Sequence, residues 1–237
     1  MSRNLVVIPD EELDGIFSIP FLNFFERYGE LLAADMAVDF GIAAVRRGDV
    51  VMVHTERAAI EADQVLSETL LTFLVDNFQC YLTDILLDLH MLHPEILSSG
   101  RTRNSDIFQY PSLEELRKSI IERHVSDLSY KSIDDLDIYF KEKLKFKLFK
   151  NRFQKLRMTR LVQIRNVISH NRGRINSIFL DRVGCKIDQL GQRVIIRNVH
   201  AANCFFTRLA LQIDRAILGK YQIATREMNM STAVAGG

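Results

Sequence analysis

The chain has 237 residues, 47% hydrophobic and 26% charged, the balance of an ordinary globular protein long enough for one large or two small domains. Three cysteines, Cys80, Cys185 and Cys204, are too few and too widely spaced for a disulfide framework or a cysteine-built zinc site, and fit free thiols in a reducing cytoplasm. The formal net charge of +1 conceals an asymmetry: residues 1 to 100 carry 17 acidic and 5 basic side chains, whereas residues 141 to 174 carry 12 basic and 1 acidic. One part of the chain is suited to meet anions.

The N-terminus, MSRNLVVIPDEELDG, is acidic and has no apolar signal core. The most apolar run, Leu70 to Leu92, is interrupted by Asp76, Asn77, Gln79, Asp84 and Asp88. A cytoplasmic protein with no membrane contact is expected. After Pro20, the residues Phe21, Leu22, Phe25, Leu32, Met36 and Phe40 fall along one broad face and predict a helix over 21–45. The longest helical signal runs from Thr55 to Leu92, with Ala58, Ala62, Val65, Leu66, Leu70, Phe73, Leu74, Asn77, Tyr81, Ile85 and Leu89 at three- and four-residue steps. His93-Pro94 ends it. A loop over 98–106 leads to Pro111 and a Ser112-x-x-Glu115 capping box, which open a helix to about Leu128. Ser132 with Asp135 starts the next, predicted over 133–149.

The stretch that follows is where helix geometry, positive charge and a titratable group converge. Phe153, Leu156, Leu161, Ile164 and Ile168 recur at helical spacing and predict one buried face, and Gly173 supplies a stop. Asn166 and His170, four apart, share a face, while Arg165 and His170, five apart, stand roughly 140° apart. They flank one groove. The last turn of a helix favours positive charge, which suits a proton donor or a phosphate contact at His170. Lys141, Lys143, Lys145, Lys147 and Lys150 alone read as a solvated helix face. Joined to Arg152, Lys155, Arg157, Arg160 and Arg165 they resemble a surface that tracks a nucleic-acid backbone. Phe146, Phe149 and Phe153, interleaved with these cations, could stack on bases, although aromatics at helical spacing are more often core.

Past Gly173 the helical pattern lapses. Gly184, Leu190-Gly191 and Val194-Ile195-Ile196 predict a short hairpin or an irregular excursion over 183–198, followed by a last amphipathic helix over 201–221 with Phe205, Phe206, Leu209, Ile213, Ile217 and Leu218 inward. The expected architecture is all-α: a helical N-terminal extension over 1–55, a helical bundle over 56–225 with that insertion before its last helix, and a disordered tail over 226–237.

The order of a long helix, a capped helix pair and a helix ending Arg165-Asn166-Val167-Ile168-Ser169-His170, then Asn171, Arg172 and Gly173, resembles the HEPN superfamily over most of residues 60–221. Four arginine–histidine pairs fit the loose family spacing: Arg47 with His54, Arg117 with His124, Arg193 with His200, and Arg165 with His170. Only Arg165 is followed by asparagine, and only this pair joins a central apolar helix to a basic surround and a glycine stop.

The resemblance implies a helical bundle, commonly a dimer, and in many members a metal-independent endoribonuclease needing no cofactor. It implies Arg165 as phosphate and transition-state stabiliser, His170 as general acid or base, and Asn166 as an orienting group, with Lys155, Arg157, Arg160, Arg172 and Arg174 as RNA contacts. The partners implied are RNA, such as tRNA or mRNA, and a second copy completing a composite site. A toxin or antiviral defence role, with an antitoxin or defence-system partner, belongs to the same implication. Members often add an acidic or polar residue from an earlier helix, for which Glu68, Asn77 and Asp84 are candidates. In one branch a tyrosine two residues after the histidine is modified by a partner nucleotidyltransferase, but Arg172 stands there.

Three other readings stay open. A non-catalytic HEPN module would dimerise and bind RNA or protein, and a helical adaptor would use the basic strip on an acidic protein or on its own N-terminal region. In a purely structural role, Asn166 and His170 would tie down a helix end while Arg165 paired with Asp84 or Asp88. Elsewhere, His90-x-x-His93 beside Asp88 has metal-like spacing but no third ligand nearby in sequence, so surface histidines are expected. There is no P-loop, Gly-x-Gly-x-x-Gly or His-Glu-x-x-His motif.

Overall fold

The computed structural model of the chain describes residues 15–47, 56–97, 110–184, 186–196 and 198–228. Among these, seven α-helices and one two-stranded antiparallel sheet make a mostly helical protein. The helices are α1 (Ile19–Arg47), α2 (Glu56–Leu92), α3 (Leu113–Ser129), α4 (Ile133–Glu142), α5 (Arg152–Asn171), α6 (Ser177–Val183) and α7 (Val199–Leu218). The strands are β1 (Gly15–Ser18) and β2 (Thr225–Met228). The loop expected over 98–106, His54, Cys185 and residues 229–237 lie outside the described residues. Residues 226–228, expected in a disordered tail, instead belong to β2, which pairs with β1 from Ser18↔Thr225 to Gly15↔Met228.

Two compact units divide the chain. Among the described residues, the first takes 24–78 and 151–208, and the second takes 15–23, 79–150 and 209–228.

In the first unit, α2 buries Leu70, Leu71, Leu74, Val75 and Phe78 at three- and four-residue steps, with Phe24 edge-on to Phe78 and Phe206 beside it. The buried face is narrower than the apolar spacing predicts. Val65 and Phe73 are exposed, and on α1 so are Met36 and Phe40, whereas Phe24 and Leu31 are buried. The side chains of Ala58 and Ala62 lie outside the described residues. α5 shows the largest departure: its buried residues are Met158, Ile164 and Val167, while Leu161 and Ile168 are half-buried and Phe153 and Leu156 stand in solvent. The turn after α5 then folds back on itself. Ile175 N–H donates to Gln192 O, Gly191 N–H to Ile175 O and Val194 N–H to Gly173 O, around an isolated bridge between Arg174 and Arg193. The excursion is therefore irregular, with α6, capped by Asn176 and closed by Gly184, standing where no helix was expected.

In the second unit, Ser18 caps α1 by accepting from Phe21 N–H at 3.1 Å. Its hydroxyl and its N–H both donate to the buried carboxyl of Asp214 on α7. Phe17 stacks on Phe21 at 4.9 Å and Phe21 meets Tyr81 edge-on. Ser112 caps α3 through Glu115 N–H, and Ser132 with Asp135 forms a complete capping box on α4.

α4 ends at Glu142 rather than running to 149. From Lys143 to Leu148 the residues alternate: Lys143, Lys145 and Lys147 are exposed, while Leu144 and Leu148 are buried and Phe146 packs edge-on to Phe140. The segment is a run of turns and bends with Lys145 left-handed at φ 59°, and the alternation of apolar and basic residues was present in the letters KLKFKL. The carbonyls freed by leaving the helix find partners, since Leu144 O accepts from Lys220 Nζ and Tyr221 Oη, and Leu148 O from Gln212 Nε2.

By length and apolarity, Gln64–Leu92 of α2 could cross a membrane, but half of its most apolar window is buried inside the protein. A core helix passes the same test.

Candidate functional site

α5 positions the candidate residues. Asn151 opens it by accepting from Gln154 N–H at 3.0 Å, and Arg172 ends it in the left-handed region at φ 52°. Gly173 follows at φ 72°, and the N–H groups of Arg172 and Gly173 both reach Val167 O. The stop is thus a two-residue left-handed turn rather than the glycine alone. A side chain at Gly173 would meet Glu68 Oε1 at 3.1 Å, so both its backbone angle and the close approach of α2 call for glycine.

Arg165 is half-buried, and α2 supplies its partner. Its Nε and Nη2 donate to Asp76 Oδ1 at 2.9 and 2.6 Å, and its Nη1 donates to Asn166 Oδ1 at 3.2 Å. Side-chain exposures of 27% for Arg165 and 39% for Asp76 leave the pair open to solvent along one edge. These bonds occupy three of the five guanidinium N–H groups, so two can meet an incoming anion. His170 is exposed in the last turn of the same helix. No hydrogen bond among the described residues ties it to the Arg165 cluster. The structure therefore joins Arg165, Asn166 and Asp76, and leaves His170 beside them in sequence but unclasped.

The acidic partner of Arg165 is neither Asp84 nor Asp88. It is also none of the three candidates Glu68, Asn77 and Asp84. Glu68 makes two bonds to Arg193 at 2.8 and 3.0 Å and accepts from Gln64 at 2.9 Å. Asn77 donates to Phe24 O. Asp84 stays exposed, its carboxyl pushed up by partial burial and by Asp88. Successive helical residues point about 100° apart, so a shift of one position from Asn77 to Asp76 turns the side chain to a different face.

The expected RNA contacts separate into three kinds. Arg160 and Arg172 are exposed, and Lys155 is half-buried. Arg157 donates to Ala201 O at 2.7 Å and lies 4.9 Å over the Phe205 ring, with its guanidinium pKa lowered by burial, so it is a strut to α7 more than a free cation. Arg174 donates to Gly191 O at 3.1 Å and braces the excursion. Of the three aromatics among the cations, Phe149 is buried and Phe146 packs on Phe140, but Phe153 is 82% exposed. The first turn of α5 carries no acidic residue, and none occurs from 143 to 180. Basic residues at the positive end of a helix strengthen the field that an anion would feel.

His90 and His93 do not form a surface pair. His90 is fully buried, with Nδ1 on Leu86 O and Nε2 on Tyr139 Oη, and His93 faces Glu95 at 3.1 Å. Of the described cysteines, Cys80 is exposed, and Cys204 is buried 3.5 Å from His200 Nε2, its thiol pKa raised by burial.

No family model, no curated protein and no solved structure matches this chain.

Proposed function

We propose that the chain is a metal-independent endoribonuclease of HEPN type that cleaves RNA by attack of the 2′-hydroxyl on the adjacent phosphate. The reading rests on one observation: an arginine held by a carboxylate from another helix and by the next asparagine, five residues before an exposed histidine on a helix free of acidic side chains.

Asp76 and Asn166 fix the plane of Arg165, so its remaining N–H groups are pre-aimed at phosphate oxygens where negative charge builds in the transition state. The 2′-oxygen bonds to phosphorus, the bond to the 5′-oxygen breaks, and one proton must leave the 2′-hydroxyl while another reaches the 5′-oxygen. One chain offers a single His170. Two chains about a twofold axis would supply one imidazole as base and one as acid, with two Arg165 side chains for the charge. Products would be a 2′,3′-cyclic phosphate, or the 3′-phosphate it hydrolyses to, and a 5′-hydroxyl. Arg160, Arg172 and Lys155 would follow the backbone, and exposed Phe153 offers a face for an unpaired base. A role as toxin or antiviral effector belongs to the same proposal.

The Asp76–Arg165 pair also favours a second reading, a non-catalytic RNA- or protein-binding module, because a tethered arginine can serve as a strut. Purified protein, Arg165→Ala and His170→Ala, incubated with total RNA and tRNA in EDTA, separate the two. The nuclease loses cleavage on the order of 100- to 10,000-fold in folded His170→Ala, with cyclic-phosphate ends in the wild type. Intact RNA with salt-sensitive binding in all three proteins overturns cleavage and selects the binding module.

A further inference from the structure

A second cluster of titratable side chains lies within the second unit and is independent of the nuclease reading. In the second unit, three side chains from three helices form one hydrogen-bonded chain: His90 Nε2 to Tyr139 Oη at 2.5 Å, and Tyr139 Oη to His124 Nε2 at 3.2 Å. The carbonyl of Leu86, 2.5 Å from His90 Nδ1, can only accept. His90 therefore carries its proton on Nδ1, its Nε2 accepts from the Tyr139 hydroxyl, and the Tyr139 oxygen accepts from His124 Nε2–H. Burial pushes the Tyr139 phenol pKa well up, which keeps its proton in the chain. With Nε2 committed, the one ring atom His124 has left is Nδ1.

His124 also lines a surface pocket of about 410 Å³ at the end of α3, together with Asp127, Leu128, Tyr130 and Lys131. That volume suits a small molecule. Charged groups around His124 are Asp127 on its own helix, Lys131 in the turn and Lys143 at the end of α4, with neutral Tyr139 and His90 behind it. Burial lowers the His124 pKa, with Asp127 opposing and Lys143 adding to the shift. Asp127 and the carbonyl end of α3 oppose an anion, and the two lysines oppose them in turn. A proton on His124 Nδ1 tips this balance, and it can be added without breaking the chain, because Nε2–H goes on donating to Tyr139.

We propose that this pocket binds a small organic anion, a carboxylate or phosphate monoester with an apolar body, its charged group between protonated His124 and Lys131 and its body on Leu128 and Tyr130. Tyr139 and His90 are positioning residues that lock the His124 tautomer. An anion there stabilises the imidazolium, so affinity rises as pH falls.

The test follows the histidine ring resonances of the full chain by NMR while benzoate or acetate, ionised throughout, is added at pH 5.5 and pH 8. Saturable shifts of His124 are expected, tighter for benzoate and about tenfold tighter at the lower pH. His124→Gln keeps an N–H for Tyr139 but cannot titrate, so it should bind weakly with no pH dependence. Asp127→Asn, an exposed change, should tighten binding severalfold. A His124 resonance that does not move with either probe overturns the proposal. Weaker binding in Asp127→Asn, or tighter binding at pH 8, overturns it.

Discussion

Two long helices each end on a histidine, and they treat it in opposite ways. At the end of α2, His90 is fully buried and both ring nitrogens are engaged; at the end of α5, His170 is exposed while the polar groups just before it are clamped. A buried imidazole needs both nitrogens satisfied, because an unpaired polar atom away from water costs about as much as a hydrogen bond gained. A histidine that must trade protons needs a free nitrogen and a fixed neighbour. α2 therefore uses its histidine to hold the fold, and α5 leaves its histidine available and puts the rigidity into Arg165.

The largest expected effect breaks the comparison at its structural end. His90→Ala removes the acceptor for Tyr139 Oη and leaves a cavity in a closed core. It should cost about 2–4 kcal/mol in chemical denaturation, against within about 0.5 kcal/mol for His170→Ala. Equal losses would show that His170 too is a structural group.

Asp214 extends the contrast to a buried carboxyl. Its pKa is raised to about 6, chiefly by burial, with the bonds from Ser18 pulling the other way. Between about pH 4 and pH 6 the folded state holds a proton that the unfolded chain releases, so this group adds stability as pH falls through that window and withdraws it as pH rises through 6. Buried His90, with its pKa lowered by burial, acts in the opposite direction: the unfolded chain takes the proton first, and stability falls as pH drops below about 6.5. Comparing wild type with Asp214→Asn at pH 5 and pH 7.5 isolates the carboxyl. The variant's relative stability should be better at pH 7.5, by about 1.4 kcal/mol between the two conditions. A constant difference would mean that Asp214 is already ionised in the fold.

Smaller effects sharpen the α5 end. Gly173→Ala puts a side chain at φ 72° against Glu68 and should lower stability by about 1–2 kcal/mol, read from the shift in the thermal midpoint. Asp76→Asn keeps the shape beside Arg165 but removes its charge. On the proposed nuclease reading, cleavage should fall about tenfold with little change in folding, since one charge-assisted clamp is weakened and not lost. Unchanged cleavage would make Asp76 a bystander.

Much of this was legible in the letters. Caps at Ser112 and Ser132 and the long apolar period of α2 are local signals, and each appears where short-range sterics and hydrogen bonding put it. α5 was placed correctly but its buried face was not, because Phe153 and Leu156 are apolar at helical spacing and yet stand 82% and 50% exposed. Burial depends on what lies opposite, which no single helix encodes. The end of α4 at Glu142 was missed for another reason: a period of two in KLKFKL was read as a continuing helix.

What the sequence by itself determined was the all-α character, the starts of α3 and α4 and the concentration of positive charge along 141–174, since propensity, capping and composition act over a few residues. What only the tertiary structure decided was pairing. Asp76 rather than Asn77 meets Arg165, Glu68 holds Arg193, and Tyr139 joins two histidines 34 positions apart in the chain. Such partners are chosen by which face of each helix turns inward, and a one-residue step on a helix rotates that face by about 100°.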